Sequence, residues 1–419
     1  MPLKRVLRTP AILKAATFGT VRDGWLIERL EREFPTLDDL LLDLGIRPRL
    51  HRGQGFKVRG AGQTKTPDSY FELPVVTPDA FTPFRVKTSA LGRLTHETLH
   101  RVRRPSIFRG PLLICSKVGS DAGAEKGRYS AALSPRDALY TENFFGISFA
   151  EAERRNAKVL SGILNASLTA FQLAFGGPTW GLERPTVLPH DLLSLRVPPL
   201  LECDDDLLDA VVRAEADASR DPQDGTLLAA LDDAVLDLYG LEPDERVLAG
   251  EAVARAHPLV FENRAVRGAL AAAPAAGDVR AYAGQVARTV DAHLRARGQR
   301  HLEAITYSRA SRGGGAGLGV PGVTAVRFVM AAGAPGDAPV VREGDPADLE
   351  TLAGLLRGRL EADIPPYLNE RRQLRLYGAE DLFVLKPTEA RYWTRTAGLN
   401  DADVILADHW LRRRDAAVA

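Results

Sequence analysis

The chain has 419 residues, of which 45% are apolar and 26% charged, with a formal net charge of +1. That composition is ordinary for a soluble protein. The length suffices for two or three domains, each burying its own core, and no apolar run approaches the roughly 20 residues that span a bilayer. Met1 to Arg8 carry positive charge with no apolar segment behind it, so no secretory signal is expected. Two cysteines, Cys115 and Cys203, are too few for a disulfide framework or a metal set, and both are expected reduced, in a cytoplasm. The small net charge hides segregation. Residues 1–130 hold 23 Lys and Arg against 13 Asp and Glu, whereas residues 201–260 hold 4 against 16. A basic face remote from an acidic segment suits a polyanionic partner.

Residues 1–65 read as an entry segment ending in a basic loop. Asp23 to Leu30 form an amphipathic turn and helix, and Thr36 is placed to cap a second helix. From Arg47 to Gly62 there is no apolar period, and Arg49, Arg52, Lys57 and Arg59 alternate with glycines. An exposed loop is expected, with backbone amides and cations able to approach phosphate.

Between residues 66 and 200 the pattern turns to short extended pieces. Phe84-Arg85-Val86-Lys87 alternates apolar and basic residues, so Arg85 and Lys87 should share a solvent face. His96-Glu97-Thr98-Leu99-His100 satisfies H-E-x-x-H, in which two histidines one helical turn apart bind zinc and the glutamate is the base. Its surroundings fit poorly: Arg101 follows directly, and a third ligand would have to be a downstream acid such as Glu125 or Glu142. Arg101, Arg103 and Arg104 form a further cationic cluster. Asp68 and Asp79 lack the acid-x-Lys partner of a nuclease. Next come three strands, Pro111 to Val118 delivering Lys117 to its end, Arg128 to Leu133, and Asn143 to Phe149. One helix should follow, with its apolar stripe from Val159 to Phe175, stopped at Gly176-Gly177-Pro178.

Residues 201–310 are rich in Ala, Leu, Asp and Arg with apolar residues at helical spacing, so a helical segment is expected. Residues 311–322 read as a Gly-rich linker. Gly317, Gly319 and Gly322 match G-x-G-x-x-G, but no strand precedes them and Pro321 interrupts them, so no cofactor loop is expected. Residues 323–419 read as a small α+β domain: a strand at 324–330, a helix at 346–362, strands at 373–377 and 381–386, and a helix at 400–413. Lys386, Arg391, Tyr392, Trp393 and Arg395 interleave cations with aromatics, which suits either stacking and phosphate contact or a folded cap with Trp393 in its core. Asn400-Asp401-Ala402-Asp403 reads as the N-cap and acidic first turn of the last helix.

The order of several phrases resembles one family. Gly162-Ile163-Leu164-Asn165-Ala166-Ser167-Leu168, preceded by strands and followed by Asp191 to Leu200, is similar to the target-recognition region of adenine-specific DNA methyltransferases of restriction-modification and phage-defence systems. Phe18 to Leu30, Gly53 to Gly60 and Leu385 to Asp408 resemble the same family. The family's catalytic parts, a Gly-rich cofactor loop and an Asn/Asp-Pro-Pro-aromatic motif, have no counterpart: Val197 precedes Pro198-Pro199, and Ile364 precedes Pro365-Pro366.

The resemblance implies an α+β fold with a mixed-strand recognition domain, a helical middle and a small C-terminal α+β domain. It implies a DNA-binding specificity module, inactive alone, with Asn165 as scaffold. Arg52, Lys57, Arg59, Arg85, Lys87, Lys117 and Arg128 are the expected DNA contacts. The partners are double-stranded DNA and a methyltransferase or other defence subunit, with no membrane. No cofactor is expected on this chain, S-adenosylmethionine being held by a separate catalytic domain or subunit. The competing readings are a zinc hydrolase at His96, Glu97 and His100, a divergent nuclease, or an interaction subunit that uses the acidic helices and does not touch DNA.

Overall fold

The computed structural model describes residues 13–15, 19–118, 127–177, 186–260, 272–295, 300–307, 323–345, 352, 373–378 and 380–418. The fold is α+β, and the chain divides into two compact units, Met1–Phe261 and Glu262–Ala419.

The first unit is built on a six-stranded mixed sheet. Its strands are β1 (Arg52–Gln54), β4 (Phe81–Thr82), β5 (Phe84–Val86), β8 (Leu112–Ser116), β9 (Ala131–Ser134) and β10 (Phe144–Ser148), in the order β1-β10-β8-β9-β5-β4. Only β5 with β9 is a parallel pair. Two small ribbons flank it: β2 (Thr64–Lys65) with β7 (Thr98–Leu99), and β3 (Pro74–Val75) with β6 (Gly92–Arg93). The three apolar runs expected as strands are strands, and β8 is buried from Leu112 to Cys115. Residues of opposite parity leave opposite faces of a strand. Leu112, Ile114, Ala132 and Phe144 accordingly join a core with Phe56, Tyr70, Phe108 and Tyr140. Phe108 meets Tyr70 and Tyr140 edge-on, with centroids 5.4 and 4.9 Å apart. Gly146 in β10 is a packing necessity, since a Cβ there would stand 2.2 Å from the Tyr140 hydroxyl.

Helices cover the other parts of the unit: α1 (Val21–Glu33), α2 (Leu37–Asp43), α3 (Arg154–Asn165), α4 (Ser167–Phe175), α5 (Pro189–Leu193), α6 (Asp205–Arg220), α7 (Gly225–Leu238) and α8 (Pro243–Val260). Thr36 caps α2 as expected, accepting from the Asp39 amide. The single helix expected across Val159 to Phe175 is two, broken at Ala166, whose ψ of 159° is extended. Asn165 explains the break. Its amide donates to the Ala131 carbonyl at 2.9 Å and accepts from the Ala131 amide at 3.1 Å, so the side chain pairs with β9 as another strand would. Asp232 of α7 then accepts from the Ser167 amide at 2.8 Å and caps α4 from a distance. At its other end, α4 is met by the buried Lys14 ammonium, which donates to the carbonyls of Leu173 and Gly177.

The second unit holds α9 (Ala276–Leu294), a five-stranded sheet ordered β13-β11-β12-β15-β14, and α10 (Arg395–Val418). Its strands are β11 (Arg300–Thr306), β12 (Val323–Ala332), β13 (Val341–Glu343), β14 (Leu374–Tyr377) and β15 (Asp381–Pro387). The stretch expected as helical through residue 310 thus ends in a strand, in which Leu302, Ala304 and Thr306 alternate into the core. Its last helix, α9, packs against α10 and β11. The expected linker at 311–322 and most of the expected helix at 346–362 lie outside the described residues.

Candidate nucleic-acid interface

Lys117 is carried where the sequence places it, at the end of the buried strand β8, and its backbone is held on both sides. Its amide donates to Asn143 and its carbonyl accepts from Val187 at 2.7 Å. The half-buried ammonium is lowered first by burial, while Glu142 acts to raise it and Lys57 and Arg101 lower it further. Three cations from three separate stretches of chain therefore share one locality.

Lys57 and Arg101 are joined more directly. The amide of each donates to the carbonyl of the other at 3.1 Å, which sets them opposite one another in an antiparallel bridge. Like charges directly opposite across a strand pair repel. The row continues through Arg103, whose guanidinium donates to the Gly55 carbonyl at 3.2 Å and is lowered by burial, then by Arg101 and Arg49. Arg59 is exposed just beyond Lys57. Gly60 follows at φ 156°, where a Cβ would come within 2.4 Å of the His100 ring, so this turn needs glycine twice over.

The seven residues expected to contact DNA separate into three groups. Lys57, Arg59 and Lys117 lie in or beside this cationic row. Arg85 and Lys87 are exposed on β5 and just after it, as the alternation requires, but β9 lies between β5 and β8 and neither acts on Lys117. Arg52 and Arg128 are corrections. The Arg52 side chain is 1% exposed, with Nη1 2.6 Å from Asp38. Arg128 makes two bonds to Asp232, at 2.7 and 2.6 Å. Neither guanidinium is presented to a partner, because each is buried beside a carboxylate of the same unit. Arg101, Arg103 and Arg49 lie in the same row and were not among the seven; the cluster 101–104 is visible in sequence, but its pairing with Lys57 is not.

The acidic helices pair with several basic residues of the same unit. Arg155 pairs with Asp205 and Asp209, Arg22 with Asp244 at 2.5 Å, and Arg29 with Glu245. In the row around Lys57 and Lys117, Glu142 is the carboxylate that opposes the charge of Lys117 among the described residues.

The other expectations have mixed outcomes. Thr98 and Leu99 form β7, so His96 and His100 do not lie one helical turn apart and H-E-x-x-H is not a helical zinc motif here. Glu125, one of its expected third ligands, lies outside the described residues. Among the described residues no three of His, Cys, Asp and Glu are grouped to hold a metal ion. Trp393 is core, with its indole donating to the Pro387 carbonyl at 3.0 Å, and Lys386 is buried in an ion pair with Asp401. Asp401 is not in a helix cap, since α10 begins six residues earlier at Arg395. Both cysteines are free thiols, and burial pushes that of Cys115 well up. Among the described residues no helix is long and apolar enough to cross a membrane.

Comparison with solved structures gives several likenesses. A solved structure described as the type IIL restriction-modification enzyme MmeI in complex with DNA is similar over 41% of this chain, with a TM-score of 0.27 and 11% identity. The chain spans 23% of the length of that one. No protein-family model matches the chain. No curated protein matches it.

Proposed function

We propose that the first unit is a DNA-binding specificity module of an adenine methyltransferase-type restriction-modification or phage-defence system, with no catalytic machinery of its own. The observation that carries this reading is the opposed pair Lys57 and Arg101 with Lys117 beside it. Such a cluster is electrostatically unfavourable in the free protein and is relieved by a row of phosphates. The backbones of all three are fixed by hydrogen bonds, so their side chains leave the fold from set positions. The likeness of the Asn165 phrase to target-recognition regions supports the specificity role, with Asn165 tying helix to sheet as scaffold. On this reading S-adenosylmethionine is bound by a separate domain or subunit, and this chain supplies duplex recognition.

The test is the affinity of the purified chain for duplex DNA across a salt series. Binding that weakens steeply with salt, by a slope of about 0.9 per phosphate neutralised, is expected for the native chain, and Lys57→Ala and Lys117→Ala should each flatten it. Indifference to DNA at low salt overturns the proposal in favour of an interaction subunit.

A further inference from the structure

A two-stranded ribbon adjoins the cationic row, and what it can do rests on the DNA-binding reading of that row. Lys57 and Arg101 are its first rung, and the His100 amide donates to the Val58 carbonyl at 3.3 Å. The partner strand then runs on without interruption. Leu99 pairs with Thr64, Thr98 pairs with Lys65, and the Glu97 carbonyl accepts from the Thr66 amide at 2.9 Å. Residues 59–63 are therefore looped out of the ribbon between Val58 and Thr64. Every residue from Arg59 to Lys65 is exposed, whereas Leu99 on the partner strand is fully buried in the core.

The loop is held to the ribbon at both feet. The His100 ring lies against Gly60, and the Thr98 hydroxyl donates to Gln63 Oε1. Gly60, Ala61 and Gly62 project almost nothing, so the long polar side chains of the loop are Arg59 at one foot and Gln63 at the other. Arg59 pairs with no carboxylate among the described residues, and Gln63 Nε2 donates to none of them. The ribbon's own carboxylates, Glu97 and Asp68, stand at the end remote from Lys57, and Asp68 is 3.5 Å from Lys65. The strands of a ribbon lie about 4.8 Å apart, and a two-stranded ribbon fits the DNA major groove, which is roughly 12 Å wide. Base edges in that groove are read by side chains with two hydrogen-bonding atoms in a set geometry, arginine on guanine O6 and N7 and glutamine on adenine N6 and N7. Gln63 keeps both functions, because Oε1 has a second lone pair beside the one taken by Thr98. Lys57, Arg101 and Lys117, at the ribbon's foot, are left for the phosphates, which position the protein and carry no sequence information.

We propose that this ribbon is the element that enters the major groove, with Arg59 reading a guanine and Gln63 an adenine, while Lys57, Arg101 and Lys117 hold the flanking phosphates. The test is enrichment of duplexes from a randomised DNA library by the purified full chain, read by sequencing, with the salt dependence of affinity for an enriched duplex measured alongside. The native chain is expected to enrich a motif that contains a G·C and an A·T position. Arg59→Lys should lose about tenfold discrimination at the G·C position and leave the salt slope unchanged, since lysine keeps the charge and lacks the planar fork. Gln63→Ala removes no charge, so it should relax the A·T position alone and also leave the slope unchanged. Lys57→Ala should instead weaken all sequences alike and flatten the slope. A chain that binds no duplex at low salt overturns the DNA-binding reading and this inference together. Binding with no enriched motif, or a motif that survives both Arg59→Lys and Gln63→Ala, leaves that reading standing and overturns the ribbon as its reader. So does a loss in Arg59→Lys spread evenly over all sequences, which would make Arg59 a phosphate contact.

Discussion

Arg128 and Asp232, 104 positions apart in sequence, meet in a two-bond ion pair at the break between α3 and α4. Asp232 also holds the first amide of α4, and Arg128 also donates to the Asn165 carbonyl at 3.3 Å. Both side chains are largely buried, so the pair's members depend on one another. Removing one partner of such a pair costs about 3–5 kcal/mol, because the other charge is left buried and uncompensated. Asp232→Ala is expected to lower the urea midpoint strongly, and Arg128→Met/Asp232→Leu to lose less than the two single changes added together. DNA affinity per folded molecule should be the same in all three variants. A selective loss of affinity in a fully folded Arg128 variant would restore Arg128 to the binding surface.

Glu215 of α6 is buried against α3, where it accepts from the Ser161 hydroxyl at 2.9 Å. Burial raises its carboxyl from the ordinary value to about 7, with the Ser161 bond and Lys158 opposing. Between pH 4.5 and 7 the folded state therefore holds the proton that the unfolded state has released. Stability falls as pH rises through that window, and the penalty is complete above 7. Glu215→Gln keeps the acceptor and removes the charge. Its melting temperature should exceed that of the native chain at pH 8, by a margin worth on the order of 1–3 kcal/mol, and converge with it toward pH 5. A constant difference across that range refutes the burial argument.

The sheet was legible because its inner strands are aliphatic runs bounded by glycine or polar loops, and Lys117 follows from the end of one of them. Local caps such as Thr36 were legible for the same reason: donor and acceptor lie three residues apart. What was not legible depends on distant partners. Nothing near Arg128 announces Asp232, and nothing near Lys57 announces Arg101. The helical period through Ala166 is genuine, and it yields to one side chain that pairs with a strand. Strand β11 was missed, because its seven residues are embedded in an otherwise helical composition and Ile305 breaks the apolar-polar alternation.

The cationic row makes a distinct prediction about salt. If Lys57 and Lys117 each neutralise a phosphate, Lys57→Ala/Lys117→Ala should reduce the slope of log affinity against log salt by about 2 × 0.9. Arg85→Ala/Lys87→Ala, on a strand set apart from that row, should change the slope independently, so the quadruple variant should show the sum. Arg52→Ala should leave the slope alone and reduce stability, because that side chain is buried beside Asp38. Equal slopes for the native chain and the Lys57/Lys117 double variant would detach the row from DNA.

In the second unit Lys386 is buried beneath the rings of Tyr282 and Trp393, with its ammonium 4.4 Å from the Tyr282 centroid. Burial lowers the ammonium, and the adjacent Asp401 carboxylate acts to raise it again. Asp401 also accepts from the Tyr282 hydroxyl at 2.5 Å, and Lys386 donates to the Tyr392 carbonyl at 3.1 Å. The aromatic and cationic residues of this stretch are thus satisfied by one another, as a core would be. Asp401→Asn leaves the ammonium without its counter-charge and should cost about 3–5 kcal/mol, whereas Lys386→Met/Asp401→Leu should be near neutral. Because a lysine deprived of its carboxylate is more easily neutralised, the Asp401→Asn variant should recover stability as pH rises from 7 to 9. Urea midpoints of the variants at the two pH values decide the matter. A pH-independent Asp401→Asn, or a double variant as damaged as the single one, would mean that the pair stabilises the unit by shape and not by charge.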